Sequence, residues 1–250
     1  MVTLADCQRT QHAWFRALAE ATGGRSFSTH KMDWVWLPET REMLCMFPTD
    51  INATGLEPVL AEAERRGATA VGIWMSAAIR KSILPQYGFE LGWQPWWMTR
   101  ALDLDSVAGT SQAHDERVSV TAVVPDQVWL ATARSPDQEG AGPEGTAQDG
   151  QAQNGEPSAS EQEWAGRGYA YLPPEQGTKH LAGIFDMVVA PEHRRKGMGT
   201  AMLNQLSEAA FNAGAEHLLL NATPDGQQLY KKRGFELIGK GQTWWFHPTQ

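Results

Sequence analysis

Apolar and polar positions alternate along this chain in two distinct rhythms. Residues 3–21 place Leu4, Trp14, Phe15, Leu18 and Ala21 on one face at helical spacing, and Gly23-Gly24 stops the run; this predicts a helix. SFSTHKMDWVWLP (26–38) and REMLCMFP (41–48) predict two strands split by a turn at Pro38-Glu39-Thr40. GLEPVLAEAERRG (55–67) predicts a helix ending at Gly67 in a left-handed cap, followed by an apolar strand, ATAVGIWM. Residues 83–102 predict a short helix and a strand. After a polar stretch at 103–116, RVSVTAVV, QVWLATARS, GRGYAYL and HLAGIFDMVV predict four strands. A helical pattern then runs to Phe211 and closes at Gly214. HLLLNA predicts a buried strand, PDGQQLYKKRG a helix with Thr223 as N-cap and Pro224 at its first position, and FELIGKGQTWWF a closing strand pair.

The order strand, helix, strand, helix, strand occurs twice, and the two passes share residues. YGFELGWQPWW (87–97) and RGFELIGKGQTWW (233–245) both carry GFEL and then a tryptophan pair after a polar gap. Gly67 and Gly214 are 147 apart, and Gly88 and Gly234 are 146 apart, so two markers keep one register. The pattern predicts an α/β protein made of two tandem mixed-sheet domains with helices on both faces, over residues 1–104 and 117–250. Core packing is the main use expected for Trp96-Trp97 and Trp244-Trp245, with one of each pair pointing inward.

Composition narrows the setting. With 42% hydrophobic residues in 250, the chain can bury a substantial core. No run of about 18 apolar residues is present, so no membrane span is expected, and the first residues lack the basic-then-apolar order of a secretion signal. Two cysteines, Cys7 and Cys45, make no disulfide framework, and no Cys/His cluster has metal-ligand spacing. A cytoplasmic location without a metal is the expectation. The net charge of −8 owes seven acids to residues 135–163, which hold no Lys or Arg; without that segment the charge is −1. A nearly neutral body gives no support for a nucleic-acid partner. The segment has no large apolar residue and is expected to be a disordered acidic loop inserted in the second domain.

Candidate chemistry concentrates in APEHRRKGMGTAMLNQL (190–206). Helix N-termini carry unpaired N–H groups and partial positive charge, so they attract anions. Gly197 and Gly199 let the backbone turn tightly and admit a bulky ligand, while Arg194, Arg195 and Lys196 put positive charge at the rim. The segment follows the strand DMVVAP, as a phosphate cradle requires, yet it is neither a Walker loop nor a dinucleotide fingerprint.

VVAPEHRRKGMGTAML resembles the acyl-CoA-binding signature V-x-P-x-x-R-x-x-G-x-G/A of the GNAT N-acetyltransferases, and LYKKRGFELIG resembles the L-Y-x-x-x-G-F of the same family. Together they reach from Val188 to Gly239, in the family's order and spacing. The resemblance implies a mixed sheet splayed where acyl-CoA enters. It implies that backbone N–H groups of Arg195, Lys196, Gly197, Met198, Gly199 and Thr200 hold the CoA pyrophosphate. The strand at Val188 and Val189 would pair with the pantetheine arm. Tyr230 stands where the family carries its general acid, and a phenol suits protonation of a leaving thiolate.

For the base, the family often uses an acid on the fourth strand. Asp186 is the carboxylate there; strict alternation puts it on one face with Val188 and Ala190, against Phe185, Met187 and Val189. A structural Asp bonded to backbone amides is the competing role, and His180, His217 and His247 are alternative bases. Family members commonly place an asparagine seven residues before the tyrosine. Here that position is Thr223, and Asn221 stands two earlier.

The first half lacks these features. Positions equivalent to Gly197 and Gly199 are Asp50 and Asn52, and that of Tyr230 is Leu84, so it is expected to be a degenerate copy that binds no CoA. Between RVSVTAVV and QVWLATARS the second half lacks the family's two usual helices, and residues 1–100 are expected to supply the missing wall. The expected function is acetyl transfer from acetyl-CoA to an amine by direct attack, the near-neutral body favouring a small-molecule acceptor. A non-catalytic acyl-CoA-binding module is the alternative, thioester hydrolysis or decarboxylation a third, and the tryptophans leave a homodimer open.

Overall fold

Strand residues of the first half alternate between two helix-covered faces. In a computed structural model of the chain, residues 1–77, 83–104, 107, 115–134, 164–174, 180–223 and 226–248 are described. The expected acidic loop at 135–163 and Pro224 lie outside them. The chain divides into two compact units. The first holds Met1–Arg100, Glu175–Leu181 and Leu219–Gln250, and the second Ala101–Pro174 and Ala182–Leu218.

The first unit opens with helix α1 (Leu4–Ala21), started by a capping box in which Thr3 and Asp6 exchange bonds between side chain and backbone. Its sheet contains β1 (Arg25–Thr29), β2 (Met32–Leu37), β3 (Glu42–Met46), β4 (Ala70–Ser76), β5 (Glu90–Leu91), β6 (Trp96–Ala101) and β12 (Glu236–Phe246). β3 and β4 are parallel, joined through α2 (Ala53–Arg66); the other pairs are antiparallel, so the sheet is mixed. Trp34, Met43, Cys45, Ile73 and Met75 pack with Leu56, Val59 and Ala63 of α2 on one face. Their neighbours Val35, Leu44, Met46 and Trp74 pack with Phe15, Leu18 and Ala19 of α1 on the other. Period-two alternation with both sides apolar is what covering each face by a helix demands.

In the second unit β7 (Val118–Val124), β8 (Val128–Arg134), β9 (Trp164–Tyr171) and β10 (Leu181–Val189) form an antiparallel run. Helix α3 (Met198–Asn212) packs across β7, β8 and β9 through a buried face that includes Ala201, Met202, Leu206 and Ala210. β11 (His217–Ala222) and the short helix α4 (Gln227–Lys231) come next in the chain, which from Leu219 onward belongs to the first unit. Among the described residues, no helix is long and apolar enough to cross a membrane.

Four features differ from the sequence expectation. Residues 26–38 are a hairpin rather than one strand, because His30 and Lys31 take left-handed φ of 40° and 68° and reverse the chain. The closing strand pair is one strand, β12. Its start pairs with β6 and residues 241–246 pair with β4. Gly241 sits in it to clear the Trp97 ring: an added Cβ would lie 2.4 Å from that ring. Trp97 is fully buried, as expected of one member of its pair, but Trp244 and Trp245 are both half-buried, one against each face of the sheet. Finally, residues 219–250 group with the first unit rather than with 117–218, since the second part of β12 runs along the length of β4.

Candidate functional site

Helix α3 begins where the sequence places the anion cradle. After β10 a single turn, Pro191–His193, leads to Arg194, whose Nε donates to the Val189 carbonyl at 3.0 Å. Arg195 and Gly197 adopt left-handed φ of 60° and 85° on either side of Lys196, and turns of this kind bring successive N–H groups to one side. Gly197 is the N-cap of α3, and no side chain caps it. Arg195 and Lys196 are exposed at the rim, whereas the Met198 side chain is buried beneath the turn, so only its backbone can serve a ligand.

Packing against neighbouring atoms does not demand these glycines, although the left-handed φ of Gly197 itself favours one. A Cβ on Gly197 would meet nothing within 4 Å, and one on Gly199 would meet only Val189 at 3.6 Å, an ordinary contact. The equivalent point of the first half is filled. Asn52 caps α2, its Oδ1 accepting from Gly55 N–H at 2.9 Å, and its Nδ2 donates to Asp50 at 3.0 Å. One helix mouth is closed by a side chain with a carboxylate beside it, and the other presents bare backbone ringed by cations.

Asp186 sits at an irregularity. Phe185 pairs with Tyr169 and Val188 with Arg167, so Asp186 and Met187 together oppose Gly168 in a β-bulge, and Asp186 takes φ 49°. The extra residue interrupts the strict alternation expected across 185–190. Asp186 keeps solvent access, yet the protein around it pushes its carboxyl pKa above the ordinary value, opposed by the charge of Arg167. Val188, beyond the bulge, is 53% exposed, which leaves an apolar strand end accessible.

Tyr230 lies on α4 in the first unit. Burial alone raises its phenol pKa, and its ring meets Phe235 edge-on at 5.9 Å. Thr223 is not the N-cap of α4, which is Gly226; its Oγ1 accepts from Gly226 N–H at 3.1 Å, so the hydroxyl orders the approach to the helix. Asn221 turns elsewhere, donating to Gln11 Oε1 at 3.0 Å. Of the alternative bases, His180 is exposed in the turn before β10, His217 is partly buried at the start of β11, and His247 Nδ1 lies 3.2 Å from the Thr69 carbonyl.

Against this geometry, the sequence description of the acetyltransferase (GNAT) family matches residues 149–235. Over that segment the sequence is similar to the GNAT acetyltransferases. The family's chemistry is transfer of an acyl group from acyl-CoA to an acceptor. A curated relative is the uncharacterized N-acetyltransferase YobR of Bacillus subtilis (strain 168), 41% identical over 61 residues. That match spans 23% of this chain and 25% of the relative.

Among solved structures, a GCN5-related N-acetyltransferase from Kribbella flavida superposes with TM-score 0.55 at 9% identity, over 100% of this chain and 98% of that one. A GCN5-related N-acetyltransferase-like protein from Streptococcus suis gives TM-score 0.54 at 12% identity, over 97% and 100%. At such identities the likeness is one of fold, and it extends beyond residues 149–235 to nearly the whole chain.

The loop before α3 has one support that sequence reading missed. Arg117 Nη2 donates to the Lys196 carbonyl at 3.4 Å, across 79 residues of chain. No local spacing signals such a contact; only the two acids, Asp115 and Glu116, that precede Arg117 hint at a fixed guanidinium.

Proposed function

We propose that this chain is an N-acetyltransferase that moves the acetyl group of acetyl-CoA directly onto an amine, with a small molecule as acceptor. The observation that carries the proposal is the mouth of α3: left-handed turns at Arg195 and Gly197, no capping side chain, and open space over both glycines. A pyrophosphate is an anion that accepts several N–H bonds, and a helix mouth of this kind offers them.

In this proposal the N–H groups from Arg195 to Thr200 hold the pyrophosphate, with Arg194, Arg195 and Lys196 adding charge, and Val188 and Val189 offer backbone to the pantetheine arm. Asp186 takes the amine proton, a role favoured by a raised pKa that moves it towards the working range of a base. The amine nitrogen forms its bond to the thioester carbon, the C–S bond breaks, and Tyr230 protonates the departing thiolate. A phenol kept neutral by burial is suited to that donation. Thr223 is assigned a secondary contact with CoA. We read the first half as a tandem, degenerate copy without CoA binding, supported by the Asn52 cap and the Asp50 carboxylate at its helix mouth. Two buried free thiols, Cys7 and Cys45, fit a reducing, cytoplasmic setting.

Calorimetric titration of acetyl-CoA into the wild type and a Gly199→Glu variant tests the donor half of the proposal. Micromolar binding that is lost in the variant is the expected result, and a wild type that binds no acetyl-CoA overturns it. An amine panel with thiol-release readout tests the acceptor half. CoA release at the same rate without any amine would instead indicate thioester hydrolysis.

A further inference from the structure

Asp115 and Arg117 lie just before β7 and form a tight side-chain pair in the second unit. Arg117 Nε and Nη2 donate to the two carboxylate oxygens of Asp115 at 2.8 and 2.6 Å, and the Arg117 backbone N–H donates to Oδ1 at 3.1 Å. The aspartate is tied in turn to α3, where Gln205 Nε2 donates to its carbonyl at 3.1 Å. Val118 N–H donates to the same carbonyl at 2.9 Å, anchoring the pair to the sheet. The guanidinium fork is thus held on both its backbone and its side-chain ends before it reaches the cradle.

Its remaining bond goes to the carbonyl of Lys196, the residue between the two left-handed positions. A trans peptide points its C=O and the following N–H in opposite directions. Drawing the Lys196 carbonyl towards Arg117 therefore turns the Gly197 N–H away from Arg117. In a loop with left-handed φ on both sides, that peptide could otherwise flip and present its oxygen to an anion, which repels it.

We infer that Arg117, fixed by Asp115, is a positioning residue of the anion cradle: it pins the peptide between Lys196 and Gly197 so that the N–H, and not the carbonyl, serves the CoA pyrophosphate. The inference rests on the donor proposed above. Arg117 acts through loop geometry and not by lending its charge to the phosphate, so its partner matters as much as the arginine itself.

The test compares binding of CoA and of pantetheine, which lacks the pyrophosphate, to the wild type and to Arg117→Met, Arg117→Lys, Asp115→Asn and the Arg117→Met/Asp115→Asn double variant. CoA binding is expected to weaken about tenfold in each single variant, the scale of one hydrogen bond involving a charged group. The double variant should be no worse than either single one, and pantetheine binding should stay unchanged throughout. Rescue by Arg117→Lys, or Asp115→Asn binding as tightly as wild type, would mean that charge alone matters and would overturn the inference. Equal loss for CoA and pantetheine would show general disordering and overturn it too. A wild type that binds no CoA removes the donor itself, whereas binding by the wild type with no change in Arg117→Met defeats this inference alone.

Discussion

The backbone N–H of Phe235 donates to the carbonyl of Tyr230 at 3.1 Å while their rings meet edge-on. The same closure occurs at the equivalent point of the first half, where Phe89 N–H donates to the Leu84 carbonyl at 3.1 Å. In each case the intervening glycine, Gly234 or Gly88, is left-handed, at φ 80° and 78°. A leucine serves this turn as well as a tyrosine does, so the turn does not require a phenol at position 230.

Replacing Tyr230 by Phe should therefore leave the melting temperature unchanged and the KM for acetyl-CoA nearly so. Turnover should fall about 10²-fold or more, the usual contribution of a general acid. Steady-state kinetics beside a thermal melt would check both; full activity in the variant would remove the tyrosine from the mechanism.

In the mechanism proposed above, Asp186 links function to stability with opposite signs. Its folded pKa is raised, so the folded state holds the proton more strongly than the unfolded state does. The associated stability is fully present below the ordinary carboxylate pKa and is lost as pH rises through the raised value. Asp186→Asn, which tolerates the left-handed φ, should melt higher than wild type at pH 7, and the gap should close below about pH 4. Its turnover should drop about 10²-fold. Paired melts across pH and a rate assay read the two effects separately.

Gly241→Ala would drive a methyl group to 2.4 Å from the buried Trp97 ring and 2.9 Å from Pro95. Overpacking of this kind costs about 1–3 kcal/mol. In a chain of this size that lowers Tm by roughly 2–4 °C per kcal/mol. Calorimetric melting checks it, and an unchanged Tm would mean that the ring can move aside.

Both cysteines should resist thiol reagents in the native protein. Burial, reinforced by Asp6, pushes the Cys7 pKa up to about 12, and burial also raises Cys45 well above an ordinary thiol. Titration with a chromogenic disulfide should give no fast-reacting thiol until denaturant is added, and then two.

The uncapped turn that opens α3 was legible because its signal is local: two glycines and three cations stand together in one short stretch, between a strand and the helix that they open. Features without such a signal depend on distant partners. The bulge at Asp186 exists only in register with Gly168 on another strand, and alternation along β10 alone predicts a regular ladder. Gly239 and Gly241 look like a turn in sequence because both causes of a strand glycine, reversal and close approach, leave the same letter; here the close neighbours are Leu4 and Trp97. The reversal at His30-Lys31 carries no glycine at all, so its left-handed backbone has no sequence mark. The contact from Arg117 to Lys196 spans too much chain for any periodicity to reveal it.

β12 gives the end of its length, Gly241 to Phe246, to β4, a strand made far earlier in the chain (Phe246 against Val71). During synthesis, the half of the chain that emerges first stays without that neighbour until the segment 236–246 has left the ribosome. Its sheet would wait with an exposed edge at β4, in the state where unpaired strands are most prone to wrong partners. For this protein the order of translation and the order of assembly run in opposite directions: a sheet whose strands are made early gains its neighbour at β4 from a segment made long after it.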